Sequence, residues 1–297
     1  DQRNTMFDIL NIILPTFIVI VVGYVFGKIT RMNMSAVVDV VFYLGLPALA
    51  FVSMQSKKIV LLDAAKVWTS AVIIVLGCGL VAWIVFKLLR QRHSGLFLPI
   101  SLMNSVNIPF PIIFFVYGEQ GLFAAILFFI PTSLMVYTLG IYVISAAHWK
   151  ESLKEVLKIP AMYAAIGGLL FNLLDVSVPE LVLGPLSFIS TMVIPLVLLV
   201  LGSNLSRVKL TSLPTTFLAS FLRVGVGLVL GFLVVNLFDL TGVLRSVVIL
   251  NSAMPAAAMT SMLATKYDNE AELVSSVVLV TTLGSLIVIP FLLRMLT

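Results

Sequence analysis

From Val67 to Phe86 no side chain carries a charge. That run alone is long enough to cross the hydrocarbon core of a bilayer, which takes about 20 apolar residues. It is one of ten. Apolar stretches recur at about 7–28, 35–55, 66–90, 95–117, 121–147, 159–174, 180–203, 213–238, 243–266 and 271–296. They occupy most of the 297 residues, so no separate soluble domain fits between them. Composition agrees, since 61% of residues are apolar and 10% charged, against about a quarter charged in soluble domains. The sequence therefore predicts an all-α integral membrane protein with ten transmembrane helices, its surface solvated by lipid. Nine apolar segments follow the first, which reads as a retained span and not a cleaved signal peptide. The single cysteine, Cys78, lies in an apolar run and has no partner for an internal disulfide.

Charge placement sets the orientation. Loops after odd-numbered spans carry Lys28, Arg31, Lys87, Arg90, Arg92, Lys150, Lys154, Lys158, Arg207, Lys209 and Lys266. The opposite side carries Arg3, Lys57, Lys58, Lys66, Arg245 and Arg294. The excess of Lys and Arg belongs on the cytoplasmic side, so both termini are expected outside and the protein in the plasma (inner) membrane. The net charge of +5 is assigned to loops facing anionic lipid, and no nucleic-acid partner is expected.

The two halves match. Pro47 pairs with Pro195, Asn104-Ser105 with Asn251-Ser252, and Tyr117 with Tyr267, at separations of 148, 147 and 150 residues. Each pair sits at corresponding spans, which predicts a duplication: 6–147 as the first five-helix repeat, 148–158 as a cytoplasmic link, and 159–297 as the second repeat. Five is odd, so the second repeat enters the membrane from the opposite face. Inverted repeats of this kind place a transport site at their interface near the bilayer midplane.

Two spans are interrupted. The fourth reads Asn104-Ser105-Val106-Asn107-Ile108-Pro109-Phe110-Pro111, and the ninth reads Asn251-Ser252-Ala253-Met254-Pro255. Proline lacks an N–H and clashes with the preceding turn, so Pro109, Pro111 and Pro255 mark helix breaks. Irregular backbone persists at membrane depth only where protein or a wet cavity satisfies it. The half-helices that follow are expected to point the positive ends of their dipoles at the midplane, where Asn104, Ser105, Asn107, Asn251 and Ser252 add neutral donors for a carboxylate. All thirteen acidic residues fall in loops or near span ends, which disfavours a cation exchanger with a midplane carboxylate.

Arg223 is the one charge deep in a span. It lies roughly 15 Å into the eighth, at 1.5 Å per residue. It either attracts the anion, ties the eighth span to unwound carbonyls, or snorkels to the interface. Thr132 and Ser133 in the fifth span correspond to Thr281 and Thr282 in the tenth; these hydroxyls are secondary substrate contacts or bond their own backbone. Ser203 and Asn204 read as an interfacial cap, and His93 and His148 as loop residues without a role. No phosphate loop, nucleophile elbow or metal-ligand spacing occurs, so neither an enzyme, a cofactor nor a metal is expected.

With these paired Asn-Ser and Pro positions, the chain from Met6 to Thr297 resembles the auxin efflux carrier family, which includes plant auxin exporters and bacterial permeases for malate or malonate. The resemblance implies crossing helices that meet near Pro109 or Pro111 and Pro255, with Asn104 and Asn251 as carboxylate contacts. It implies a scaffold of spans one, two, six and seven, a transport bundle of spans three to five and eight to ten, elevator-type movement, and a homodimer through the scaffold. The clamp is unequal here, because Met254 stands where the first repeat has Asn107. The implied function is secondary transport of a small organic anion such as malate, malonate or an auxin-like acid. A sodium-coupled symporter of the bile-acid type, with a similar plan, and a non-transporting ligand-binding membrane sensor remain the alternatives.

Overall fold

The computed structural model describes residues 6–56, 60–140, 143 and 158–296. Among the described residues there is no β-strand, only one isolated bridge. The helices are α1 (Met6–Thr30), α2 (Ser35–Ser56), α3 (Leu61–Leu88), α4 (Phe97–Ser101), α5 (Pro109–Met135), α6 (Pro160–Leu173), α7 (Glu180–Leu205), α8 (Leu213–Leu237), α9 (Gly242–Ser252), α10 (Ala258–Lys266) and α11 (Ala271–Leu296). By length and composition, seven can cross a membrane: α1, α2, α3, α5 with its extension to Gly140, α7, α8 and α11. The protein is an integral membrane protein of helices.

The remaining predicted spans take other forms. The fourth is split between α4 and the start of α5, and the ninth between α9 and α10. α5 bends at Gly118, whose φ of 60° is left-handed backbone open to glycine, so it holds both the end of the fourth predicted span and the fifth. The sixth is the 14-residue α6. The predicted link at 148–158 lies outside the described residues apart from Lys158.

Prolines disturb α2 and α7 at matching places. Pro47 cannot donate to the carbonyl one turn back, and α2 widens just before it into a π-helical turn, Val41–Gly45, in which Leu46 N bonds Val41 O. Pro195 follows the non-helical turn Thr191–Met192 inside α7. π-Helical turns also occur at Val136–Gly140, after α5, and at Leu222–Val226, within α8.

Two helix pairs pack with little between their backbones. α1 lies on α7, where a Cβ at Gly202 would overlap Ile20 O. α2 lies on α6, where a Cβ at Gly168 would come within 2.6 Å of Phe51 O, and Asn172 Nδ2 donates to Gln55 O at 3.0 Å. Small residues at such contacts bring helices close enough for dispersion to hold them, the main attraction left where lipid is as apolar as the side chains. The outward faces suit acyl chains, with Ile18, Val21, Val25 and Ile29 exposed on α1 and Leu181 and Phe188 on α7.

Loops on one side also pair. His93 Nδ1 lies 2.6 Å from Glu270 Oε1, and Gly95 N donates to Glu270 Oε2 at 2.8 Å. His93 therefore joins the α3–α4 loop to the α10–α11 loop, a role its sequence context did not announce. His148 lies outside the described residues.

Gly202→Ala should destabilise the α1–α7 pair by about 1–3 kcal/mol through overpacking. Thermal denaturation of the purified protein in detergent checks this, with Gly284→Ala, whose Cβ meets nothing within 4 Å, as a control expected to leave the midpoint unchanged.

Candidate functional site

α4 ends at Ser101 and α9 at Ser252, each several residues before the next helix starts. The unwound stretches cross and hydrogen-bond to each other. Asn104 N donates to Pro255 O at 2.8 Å, and Ala257 N donates to Leu102 O at 3.0 Å, which makes Met103 and Ala256 an antiparallel bridge. The bridge is dry, with Met103, Asn104 and Ala256 at most 3% exposed. Between the two paired amides, Ala256 N donates to Thr281 Oγ1 of α11 at 3.1 Å. Each of these groups would cost several kcal/mol if left unpaired in lipid.

The two helix starts that follow the crossing differ. At α5, Asn104 Oδ1 accepts from Asn107 N at 2.9 Å and Val106 N at 3.3 Å. Pro109 and Pro111 have no N–H, and Phe110 N bonds Val106 O. Most donors there are absent or taken. At α10 no side chain caps the helix; Thr260 N folds back onto Ala257 O, and the N–H groups of Ala258 and Met259 have no partner within the helix. The open positive end is that of α10.

Both helix starts border one cavity of about 170 Å³. Its polar lining is Asn104, Ser105, Asn107, Ser133 and Asn204; the rest is apolar, including Phe42 of α2, Phe129 of α5, Val197 of α7 and Met259 of α10. Among the described residues no charged side chain lines it. Asn104 is buried, its Oδ1 occupied by the turn and its Nδ2 without a partner. Past Val38, Asn204, Ala258 and Met262 the cavity meets a larger vestibule of about 780 Å³, which carries Asp39, Arg207, Lys209, Lys266 and Glu272.

The other sequence-selected residues surround the crossing without lining this cavity. Asn251 is fully buried; its Nδ2 donates to Val247 O at 2.9 Å and its Oδ1 has no partner. Ser252 Oγ donates to Ile249 O. Thr132 and Ser105 hydroxyls are 3.1 Å apart, while Thr282 Oγ1 is buried and unpaired. Pro255 supplies a bridge carbonyl, and Pro109 and Pro111 open α5. Arg223 is fully buried and bonds carbonyls of α4 and α9.

Asn204 escaped sequence reasoning: it lines both cavities, yet its position at the end of an apolar run looks like an ordinary interfacial cap. The repeat offset gave no help, because Ser56 stands at the corresponding place in α2.

Broken helices that cross beside a cavity inside a bundle of apolar helices are the setting in which membrane transport proteins place their sites. A sequence model of the membrane transport protein family matches residues 8–159 and again 144–293, and the chain belongs to that family, the auxin efflux carriers. It is similar to an uncharacterized transporter of Methanocaldococcus jannaschii, 27% identical over 297 residues that cover 94% of this chain and 96% of the relative. A second uncharacterized transporter, from Methanothermobacter thermautotrophicus, is 26% identical over 292 residues, covering 94% and 95%.

Thr281→Val removes the acceptor for Ala256 N in a dry site, so stability should fall by about 1–3 kcal/mol. Faster hydrogen exchange at the 253–258 segment, with α1 and α7 unchanged, is the expected readout.

Proposed function

We propose that this protein is a secondary transporter that carries a small organic anion by alternating access. The observation that carries the proposal is that the uncapped start of α10 and Asn104, whose buried Nδ2 has no partner, line one small cavity with no charged side chain among its described lining residues. Those groups are all donors, and the helix end adds partial positive charge in a medium of low dielectric. A carboxylate fits them without a buried Lys or Arg beside it.

The lining narrows the substrate class. One electropositive locus surrounded by Val, Phe, Leu, Ile and Met side chains suits one carboxylate on an apolar body, as in an auxin-like acid. Malate or malonate would have to bury a second carboxylate with no cation among the described residues that line the cavity, which costs several kcal/mol per ion.

The architecture we propose is ten helices in two inverted five-helix repeats. α1, α2, α6 and α7 form a scaffold, which dimerises, and α3 to α5 with α8 to α11 form the moving bundle. The close backbone contacts of α1 with α7 and of α2 with α6 support a scaffold built from equivalent pairs. The cavity walls divide the same way: α2 and α7 on one side, the crossing on the other. Sliding between these walls would carry the site from one face to the other. The vestibule carries Arg207, Lys209 and Lys266, which the excess of positive charge assigns to the cytoplasm, so the cavity faces inward in this conformation.

Asn104→Asp keeps the oxygen that holds the turn before α5 but replaces the unpaired donor with a second oxygen. In proteoliposomes, phenylacetate uptake should fall by at least the roughly tenfold worth of one charged hydrogen bond, about 1.5–3 kcal/mol, with folding intact. Asn104→Ala should lose both the donor and the oxygen that holds the 104–107 turn. Malonate uptake exceeding that of phenylacetate would reject the apolar-acid reading, uptake that requires sodium would favour a sodium-coupled symporter, and binding without flux would favour a sensor.

A further inference from the structure

Arg223 is the largest fully buried side chain described. It sits in the π-helical turn Leu222–Val226 of α8, and among the described residues no carboxylate pairs with it. Its guanidinium lies against the buried Cys78 thiol of α3, and the oxygens it donates to are backbone carbonyls. Nη1 donates to Ile100 O at 2.9 Å and Ser101 O at 3.1 Å, at the end of α4. Nη2 donates to Ser252 O, the last residue of α9. One guanidinium thus caps the ends of both helices that lead into the crossing.

Those carbonyls exist as free acceptors only because the two helices stop. A helix end leaves its last C=O groups unpaired and carries partial negative charge, and in lipid such groups need a donor. A planar guanidinium can reach two separate acceptors at a fixed spacing, which an ammonium cannot. The surroundings keep this contact close. A Cβ at Gly227 would overlap both Arg223 Nη2 and Ser252 O, and a Cβ at Gly231 would overlap Ser252 Oγ, so α8 presents a bare strip where α9 ends.

We infer that Arg223 is the positioning residue of the crossing: its fork holds the ends of α4 and α9 at one separation, which sets the register of the Leu102–Ala257 and Asn104–Pro255 hydrogen bonds. Through that register it fixes where Asn104 Nδ2 and the start of α10 stand relative to each other. Its charge faces the negative ends of α4 and α9, leaving the positive end of α10 for the substrate. This extends the proposed anion site, but the register claim concerns the protein alone and is tested without a ligand.

The experiment is hydrogen exchange, read by mass spectrometry on the purified full chain, for wild type, Arg223→Lys and Gly227→Ala. Arg223→Lys keeps the charge and loses the fork, and Gly227→Ala keeps the arginine and pushes it off Ser252. Each variant should speed exchange in both 102–108 and 253–258, by roughly tenfold or more if one charged hydrogen bond is lost, while α1 and α7 keep their protection. Phenylacetate should show a raised KM in both variants, with kcat changed less. Unchanged exchange in either segment, or an equal rise across all helices, overturns the positioning role. If Arg223→Lys does not fold, Gly227→Ala decides by the same criteria. If the exchange result holds and wild type binds no carboxylate, the register claim stands and the anion reading fails.

Discussion

Two hydrogen bonds between broken helices, Asn104 N to Pro255 O and Ala257 N to Leu102 O, are the constraint around which the interior is arranged. Interrupting a helix within a membrane exposes donors and acceptors that lipid cannot satisfy. Interrupting two and letting each satisfy the other removes part of that cost. What the bridge leaves over is taken up by a threonine of α11 and an arginine of α8. The start of α10 has no side-chain cap and its residues Ala258 and Met259 line the cavity, which is where the proposed function places the guest.

The asymmetry between the two crossings follows from single residues. Two prolines within three positions strip α5 of donors, and Asn104 Oδ1 occupies two of those just before it. At the matched place the second half has one proline, and Met254 where the first has Asn107; neither α5 nor α10 has a side-chain cap, so the difference lies in the prolines and in the turn held by Asn104. The two helix starts follow matched sequence positions, yet the donors before α5 are taken or absent while Ala258 and Met259 of α10 have no partner within their helix. Asn104 then presents an unpaired donor and Asn251 an unpaired acceptor, which gives the two asparagines different chemistry despite their matched sequence positions.

Much of the fold was legible because lipid imposes strict rules. Long uncharged runs gave the spanning helices, and Pro109, Pro111 and Pro255 located the breaks, since proline acts on the backbone directly. Pro47 and Pro195, which the sequence offered only as a matched pair, sit beside the disturbances in α2 and α7. The choice among roles for Arg223 was not legible, because depth in a span says how costly a charge is and not what it touches. Asn204 was hidden for a related reason: cavity lining depends on how α7 meets α2 and α10, a long-range arrangement without local periodicity. His93 likewise gains its partner from a loop in the other half of the chain.

The central claim is that a carboxylate sits against the first turn of α10. Solid-state NMR of protein labelled with 15N-methionine, bound to phenylacetate carrying a 13C carboxyl, measures this directly. The account predicts dipolar coupling between that carbon and the Met259 amide nitrogen, at a separation within about 4 Å for a hydrogen-bonded pair. Saturating ligand with no coupling to Met259, or coupling confined to Met34 in the vestibule wall, would contradict it.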